Sequence, residues 1–231
     1  MRNSITSLGV LGVALLLLTP AIGHAQDDKA VHVNLGGGPT FNLGDSGTNF
    51  ATGWGPAIGV TVDAPNKNVA FQFEYAYRWF NVKDTLPIGA TKFSAHHQTH
   101  QLDFNLVGNL TKPDSPVRGY VVAGPGAYYR NVEITEYVGT GYICNPWYYV
   151  CGYYPVTAVI ASRGGWDFGF NVGGGVGFKM GDSGEFYIES RYHYVWGPTI
   201  NSSTPLPAGT TTTTGGTANG TYWPLTFGFR F

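Results

Sequence analysis

The chain has 231 residues, of which 12% are charged, and its formal net charge is −1. This near-neutral balance offers no basic face, so we expect no nucleic-acid partner. The 34 glycines and 15% aromatic residues favour an all-β chain over a soluble helical one. After residue 25, no apolar run approaches the roughly 18 residues that a transmembrane helix needs.

Residues 1–25 have the pattern of a secretory signal peptide. Arg2 gives the start a positive charge, Val10–Leu18 is an apolar run, and small residues stand at the cleavage positions in Gly23-His24-Ala25. We therefore expect 1–25 to be removed during export through the secretory pathway, and residues 26–231 to form one barrel domain.

Eight segments in chain order alternate bulky apolar residues with small or polar ones, as strands with two different surroundings do. They are 31–41, 54–62, 69–79, 98–110, 117–129, 166–178, 186–196 and 222–231. Short turns follow the second, fourth and sixth segments. Long loops follow the third, fifth and seventh, with 131–164 the longest and 201–220 a mobile Thr/Gly-rich segment. This alternation of connections is typical of an up-and-down barrel with short periplasmic turns and long outer loops.

The two parities of these segments differ in charge. The bulky parity carries no Asp, Glu, Lys or Arg, whereas the other carries charged residues among glycines. We therefore predict an all-β fold, an eight-stranded antiparallel up-and-down transmembrane β-barrel with its apolar wall in lipid. A soluble lipocalin-like barrel would place the apolar face inside, where an eight-stranded lumen has too little room for it.

Tryptophans test this topology independently of the charges. If the strands run up and down in order, five of the six tryptophans fall at the same outer rim, where aromatic belts meet the membrane interface. They are Trp54, Trp79, Trp166, Trp196 and Trp223.

Charged residues of the inner parity cluster in the middle and upper lumen. They are Glu74, Arg78, Asp103, Glu189, Arg191 and His193. Buried charges are tolerated when paired, so we predict that the two arginines pair with the three carboxylates and plug the interior. Such pairs form either a permanent core or a gate whose pairs can exchange, and the permanent core is the preferred interpretation.

Loop 131–164 carries both cysteines of the chain, Cys144 and Cys151. Export to an oxidising compartment favours a disulfide between them, although two free thiols are the alternative. The loop is rich in tyrosine, which suits recognition of a surface partner; a self-packed cap over the barrel mouth is the alternative.

Three histidines, His96, His97 and His100, do not predict a metal site. On a strand, His96 and His100 lie about 13 Å apart and His97 faces the other way. A deacylase-like Ser/His pair also fails, because Ser190 points outward and His193 inward. We predict no metal, no cofactor and no enzymatic activity.

The mature chain resembles the small outer-membrane β-barrel family that includes the OmpA membrane domain and OmpX. Further features that carry the resemblance are Gly124-Pro125-Gly126, Gly173-Gly174-Gly175, Glu189-Ser190-Arg191-Tyr192 and the last strand with Phe227, Phe229 and Phe231. The resemblance implies that this strand is the signal read by the barrel insertion machinery, and that the location is the outer membrane of a Gram-negative-type cell.

We therefore expect an integral outer-membrane barrel with a charge-plugged lumen, surrounded by outer-membrane lipid, that presents long loops in a structural or surface-interaction role. A narrow pore for small or hydrophobic solutes is the first alternative. A lipid-modifying outer-membrane enzyme is the second, because fold alone does not determine function.

Overall fold

The computed structural model describes residues 30–231. Short gaps fall in the connections, at 45–46, 48–49, 66–67, 82, 84–86, 89–90, 113–114, 146–149, 182–183 and 206–210. The expected signal peptide, residues 1–25, lies outside this range. Among the residues described, no helix has the length and apolarity to cross a bilayer.

Eight strands make up the barrel. They are β1 (Val31–Asn42), β2 (Gly53–Asp63), β3 (Val69–Asn81), β4 (Thr91–Asn109), β5 (Val117–Asn145), β6 (Val150–Met180), β7 (Gly184–Trp196) and β8 (Gly220–Arg230). Each strand pairs antiparallel with the next along the chain.

The first and last strands close the ring. β1 pairs antiparallel with β8, with Leu35 opposite Phe229 and Phe41 opposite Trp223. Val33 and Phe231 exchange both backbone hydrogen bonds, at N···O distances of 3.1 and 3.0 Å. Closure leaves no free sheet edge in the wall, which a strand structure needs inside a membrane.

Exposure alternates along every barrel strand and separates the two walls. On the neighbouring strands β3 and β4, Phe73 and Phe104 are 52% and 56% exposed on the outside, whereas Glu74 and Asp103 are 3% and 0% exposed inside. Apolar residues outside and polar residues inside are the reverse of a soluble barrel. The predicted fold is thus confirmed, and the lipocalin-like alternative is excluded.

Glycines on the inner wall leave room for large inward side chains. A Cβ on Gly175 would lie 2.5 Å from the Tyr120 hydroxyl, and one on Gly228 would lie 2.6 Å from the Tyr187 hydroxyl. The lumen is therefore filled by pairing tyrosines with glycines on neighbouring strands, as an interior of this size requires.

Two segments interpreted as loops are strands. Most of 131–164 extends β5 and β6 into a long hairpin, whose register runs from Asn131 opposite Gly164 to Asn145 opposite Val150. In the segment 201–220, Thr199–Pro205 pairs with Thr211–Thr217 as a separate two-stranded sheet, which corrects the assignment of this segment to a loop. A two-residue strand, Pro87–Ile88, also pairs with the start of β4.

Candidate functional site

The middle of the lumen is organised around Arg191. Its guanidinium contacts three carboxylates: Glu74 at 2.9 Å, Asp103 at 3.6 Å, and Glu189. The same Nη2 atom also donates to Gln72 Oε1 at 3.3 Å. All four ionic side chains are at most 4% exposed, so the attraction acts with little screening by water.

Strand register explains why these charges meet. Glu74 on β3 lies directly opposite Asp103 on β4, so the two carboxylates are neighbours on the inner wall. Glu189 and Arg191 are two residues apart on β7 and therefore share a face. Since β3 and β7 lie on opposite sides of an eight-stranded ring, a long arginine side chain can span the interior between them.

Arg78 does not take the place that we predicted for it. Its guanidinium donates to the backbone carbonyl of Gly55 at 3.2 Å, and the side chain is buried. In the part of the chain that the structure describes, the ion pairs of this cluster all involve Arg191. Glycine at position 55 leaves its carbonyl accessible to Arg78, and a sequence pattern does not reveal such a backbone acceptor.

His193 belongs to an aromatic layer above the charges. Its ring stacks on Tyr222 with centroids 4.8 Å apart and an interplanar angle of 7°, and its Nδ1 lies 3.1 Å from the Tyr128 hydroxyl. Tyr128 also donates to Asp103 at 3.2 Å, and Tyr222 donates to Gln101 at 3.0 Å. The layer thus covers the ionic cluster on the outer side and is hydrogen-bonded to it.

A second charged cluster lies at the end of the lumen where the short turns connect the strands. Arg118 forms a bidentate pair with Glu185 at 2.7 and 2.8 Å, and Arg230 reaches the same carboxylate at 3.1 Å. Arg230 also donates to Asn34 at 2.7 Å, which joins the last strand to the first. Both guanidinium groups lie over the Tyr120 ring, at 4.8 and 5.5 Å from its centroid.

The outer end of the lumen has its own arginine. Arg130 donates to Asp167 at 2.7 Å and to the Ala218 carbonyl at 2.9 Å, so it ties the base of the long hairpin to the connection before β8. Arg118 and Arg130 stand on the inner parity of β5, but they are not among the predicted site residues. Inward parity was the signal that could have added them, together with Glu185 and Arg230, to the site.

The five rim tryptophans all point outward. Each is 40–57% exposed. Four of them, Trp54, Trp79, Trp196 and Trp223, stand near one end of their strand, whereas Trp166 lies within β6 where the long hairpin leaves the wall. Trp54 lies opposite Trp79, and Trp166 lies opposite Tyr129. Phe227, Phe229 and Phe231 also face outward, at the other end of the barrel.

Ser190 and His193 lie on opposite walls, as predicted. Ser190 accepts a hydrogen bond from the Trp223 indole on the outside, whereas His193 is 0% exposed inside. A strand wall thus separates hydroxyl from imidazole, so these two residues cannot work as nucleophile and base.

The three histidines of β4 also separate between the walls. His96 and His100 face outward, where His96 contacts Asn81 and His100 contacts Tyr75. His97 faces inward between Phe50 and Phe80. Within the described residues, no group of three His, Cys, Asp or Glu side chains could hold a metal ion.

The backbone positions of Cys144 and Cys151 lie directly opposite each other near the tip of the hairpin. Their side chains, like those of Tyr142, Tyr153 and Tyr154, lie outside what the structure describes, so the disulfide stays a prediction.

Comparison with known proteins gives a match at the level of structure. The sequence matches no protein-family model and no curated protein sequence. Its structure matches a major outer membrane protein from Thermus thermophilus, with 11% identity, a TM-score of 0.53, and 88% of this chain and 99% of that chain covered. It also matches the outer membrane protein OprG from Pseudomonas aeruginosa, with 13% identity, a TM-score of 0.51, and coverage of 90% and 99%.

The chain has the fold of the small eight-stranded outer-membrane β-barrels. Neisserial surface protein A is a further match, with 14% identity, a TM-score of 0.46, and 87% and 96% of the two chains covered. In this small outer-membrane-type barrel, the three charged layers of the lumen form the candidate site, from Arg118 and Glu185 through Arg191 to Arg130.

Proposed function

We propose that the chain is an integral outer-membrane barrel whose lumen is closed by buried ion pairs and whose long hairpin projects from the cell surface. The outward wall supports the location, because its apolar residues would be costly to expose to water. Export through the secretory pathway and recognition of the C-terminal strand by the insertion machinery are parts of the same proposal.

The observation that carries the closed lumen is the pairing of Arg191 with three carboxylates. Removing charges from water costs several kcal/mol per ion unless geometry and hydrogen bonds compensate. Moving Arg191 out of the lumen would break its ion pairs with Glu74, Asp103 and Glu189, so we expect its side chain to stay in place. The tyrosine–histidine layer above and the Arg118–Glu185–Arg230 cluster below fill the lumen on both sides.

A planar-bilayer recording with the full chain tests the closed lumen. We expect no stable single-channel conductance from the wild type, and no swelling of liposomes in small sugars or amino acids. Conductance steps with the wild type would overturn the closed lumen and favour the pore.

A second candidate function, a narrow pore, is favoured by one specific observation. Several buried polar atoms of the lumen have no hydrogen-bond partner among the residues that the structure describes, and they include Arg78 Nε, Glu189 Oε2 and His193 Nε2. Buried polar atoms of this kind are commonly satisfied by water. A connected file of such waters would carry small solutes. A change of conductance in Tyr128→Ala, which removes the ring whose hydroxyl contacts both Asp103 and His193, would identify that route.

The surface role rests on the hairpin formed by the outer parts of β5 and β6. It extends beyond the barrel wall by the pairs from Asn131–Gly164 to Asn145–Val150. At about 3.4 Å per residue, such a ribbon reaches tens of ångströms from the rim. An extended ribbon with many tyrosines suits contact with a surface partner better than catalysis, because tyrosine combines contact area with a polar tip.

A further inference from the structure

The outer wall of β4 carries a polar column that the lumen does not explain. It consists of His96, Gln98 and His100, which face outward, whereas Leu102, Phe104 and Leu106 continue the same face with apolar side chains. Polar side chains on a lipid-facing wall are costly away from the interface. The column begins next to the tryptophan rim, because Gln98 lies directly opposite Trp79.

Aromatic rings frame this column on both sides. On β3, Tyr77 lies opposite His100, with ring centroids 5.1 Å apart. On β5, Tyr129 lies opposite His100 at 6.1 Å, and Trp166 follows at 5.5 Å from Tyr129. Together they form an outward platform of rings that stays partly exposed, with Trp79 at 40% and Trp166 at 57%.

One hydrogen bond fixes the orientation of His100. Its Nδ1 lies 2.8 Å from the Tyr75 hydroxyl, and Tyr75 is two residues nearer the middle of the wall than Tyr77. In the tautomer in which Tyr75 donates to Nδ1, the imidazole hydrogen lies on Nε2, which can then donate to a ligand. Because the two nitrogens lie at different positions of the ring, the contact with Tyr75 does not occupy Nε2.

The remaining described groups of this face supply donors and acceptors, and none of them is a lysine or an arginine. Gln98 lies opposite Asn131, and His96 lies opposite Glu133. Asn131 donates to Glu133 at 3.2 Å, and His96 contacts Asn81 at 3.2 Å. The titratable groups here are His96, His100, Glu133 and the tyrosines. A carboxylate with no Lys or Arg beside it among the described residues of this face disfavours a phosphate ligand.

We propose that this face, which we call the β4 column, binds the saccharide of a glycolipid in the outer leaflet. Sugars present apolar C–H faces that pack on aromatic rings, and hydroxyl groups that pair with amide, imidazole and carboxylate side chains. The column offers both beside the rim, at the depth where a lipid-borne sugar begins. The inference rests on the proposed outer-membrane location, because it requires that the tryptophan rim meet the outer interface.

The test compares glycolipid retention by the full chain and its variants. Each protein is reconstituted into phosphatidylethanolamine vesicles that contain lipooligosaccharide, dephosphorylated lipooligosaccharide or phosphatidylglycerol, and bound lipid is counted by native mass spectrometry after mild extraction. We expect the wild type to retain both sugar lipids and not phosphatidylglycerol. The double variant Gln98→Leu/His100→Leu should retain them about tenfold less.

Two further variants serve as a control and as a graded change for this test. Ser190→Ala removes an outward polar group beside another rim tryptophan and should bind as the wild type does. Tyr75→Phe frees His100 Nδ1 without changing packing and should weaken retention by a smaller factor. Equal retention by wild type and the double variant overturns the proposal, as does loss of binding on dephosphorylation, which would indicate a phosphate site.

Insertion is measured in the same vesicles, so that the two proposals fail separately. Protection of the barrel from trypsin, with strand content by circular dichroism, reports whether each protein has inserted. Wild type that inserts but retains no sugar lipid overturns the saccharide site alone. Wild type that does not insert overturns the membrane location, and with it this inference.

Discussion

At the scale of single residues, Arg191 is the centre of the ion pairs in the middle of the lumen. One guanidinium forms ion pairs with three carboxylates that come from three strands, so its loss leaves several buried charges without their positive partner. Among the described residues, Arg78 contributes no ion pair to this cluster, so the stability of the cluster depends on Arg191.

Arg191→Met should lower the free energy of unfolding by about 3–5 kcal/mol, because it leaves buried carboxylates without a positive partner. Urea unfolding from lipid vesicles, followed by tryptophan fluorescence, measures the change. Adding Glu74→Gln and Glu189→Gln to the same chain should restore a large part of the loss, since the neutral amides no longer need the guanidinium.

The matched control is Lys112→Met, which removes one positive charge from an exposed turn. Its effect should stay within about 0.5 kcal/mol. If Arg191→Met were as mild as this control, the ion pairs would not stabilise the lumen.

At the scale of elements, the surroundings of the two strand faces differ between the barrel wall and the long hairpin. Within the wall, one face is apolar and the other polar, and period two follows from that contrast. In the long hairpin of β5 and β6 no such contrast is required, because both of its faces lie outside the barrel wall. This is why the sequence pattern predicted a loop at 131–164, where the structure has paired strands.

An arginine on the outer wall should cost more in the middle of a strand than at its end. Phe104→Arg, in the body of β4, should destabilise the inserted barrel by about 2–4 kcal/mol, whereas Leu110→Arg, just past its end, should cost about 0–1 kcal/mol. Both residues are well exposed on the outside, at 56% and 70%, so packing losses are similar. Equal costs in vesicles would argue against a bilayer around the wall.

The hairpin tip should carry a disulfide between Cys144 and Cys151. Directly opposed residues of an antiparallel pair lie about 4.5–5.5 Å apart at Cα, within the range of a disulfide. Protein exported to an oxidising compartment should therefore resist alkylation by iodoacetamide until it is reduced. Two alkylated thiols without reduction, detected by mass spectrometry, would show that the bridge does not form.

At the scale of the whole molecule, the barrel is a closed wall around three polar layers, with one apolar surface. The strand count, the closure and the sorting of charges could be predicted from the sequence, because lipid and lumen impose opposite demands on alternate residues. Which charges pair could not be predicted in full. Arg78 donates to the Gly55 carbonyl, and Glu185 accepts from both Arg118 and Arg230. These contacts depend on the register between strands, which the alternation of residues along one strand does not give.

The measurement that tests the central claim most directly is the accessibility of nitroxide labels on the outer wall. In the Cys144→Ser/Cys151→Ser background, single cysteines replace Phe73, Phe104, Phe170 or Phe229, which lie around the ring, and each labelled protein is inserted into vesicles. If the apolar wall meets lipid, all four labels relax strongly with molecular oxygen and weakly with a water-soluble nickel chelate. Strong relaxation by nickel at these positions would contradict the account.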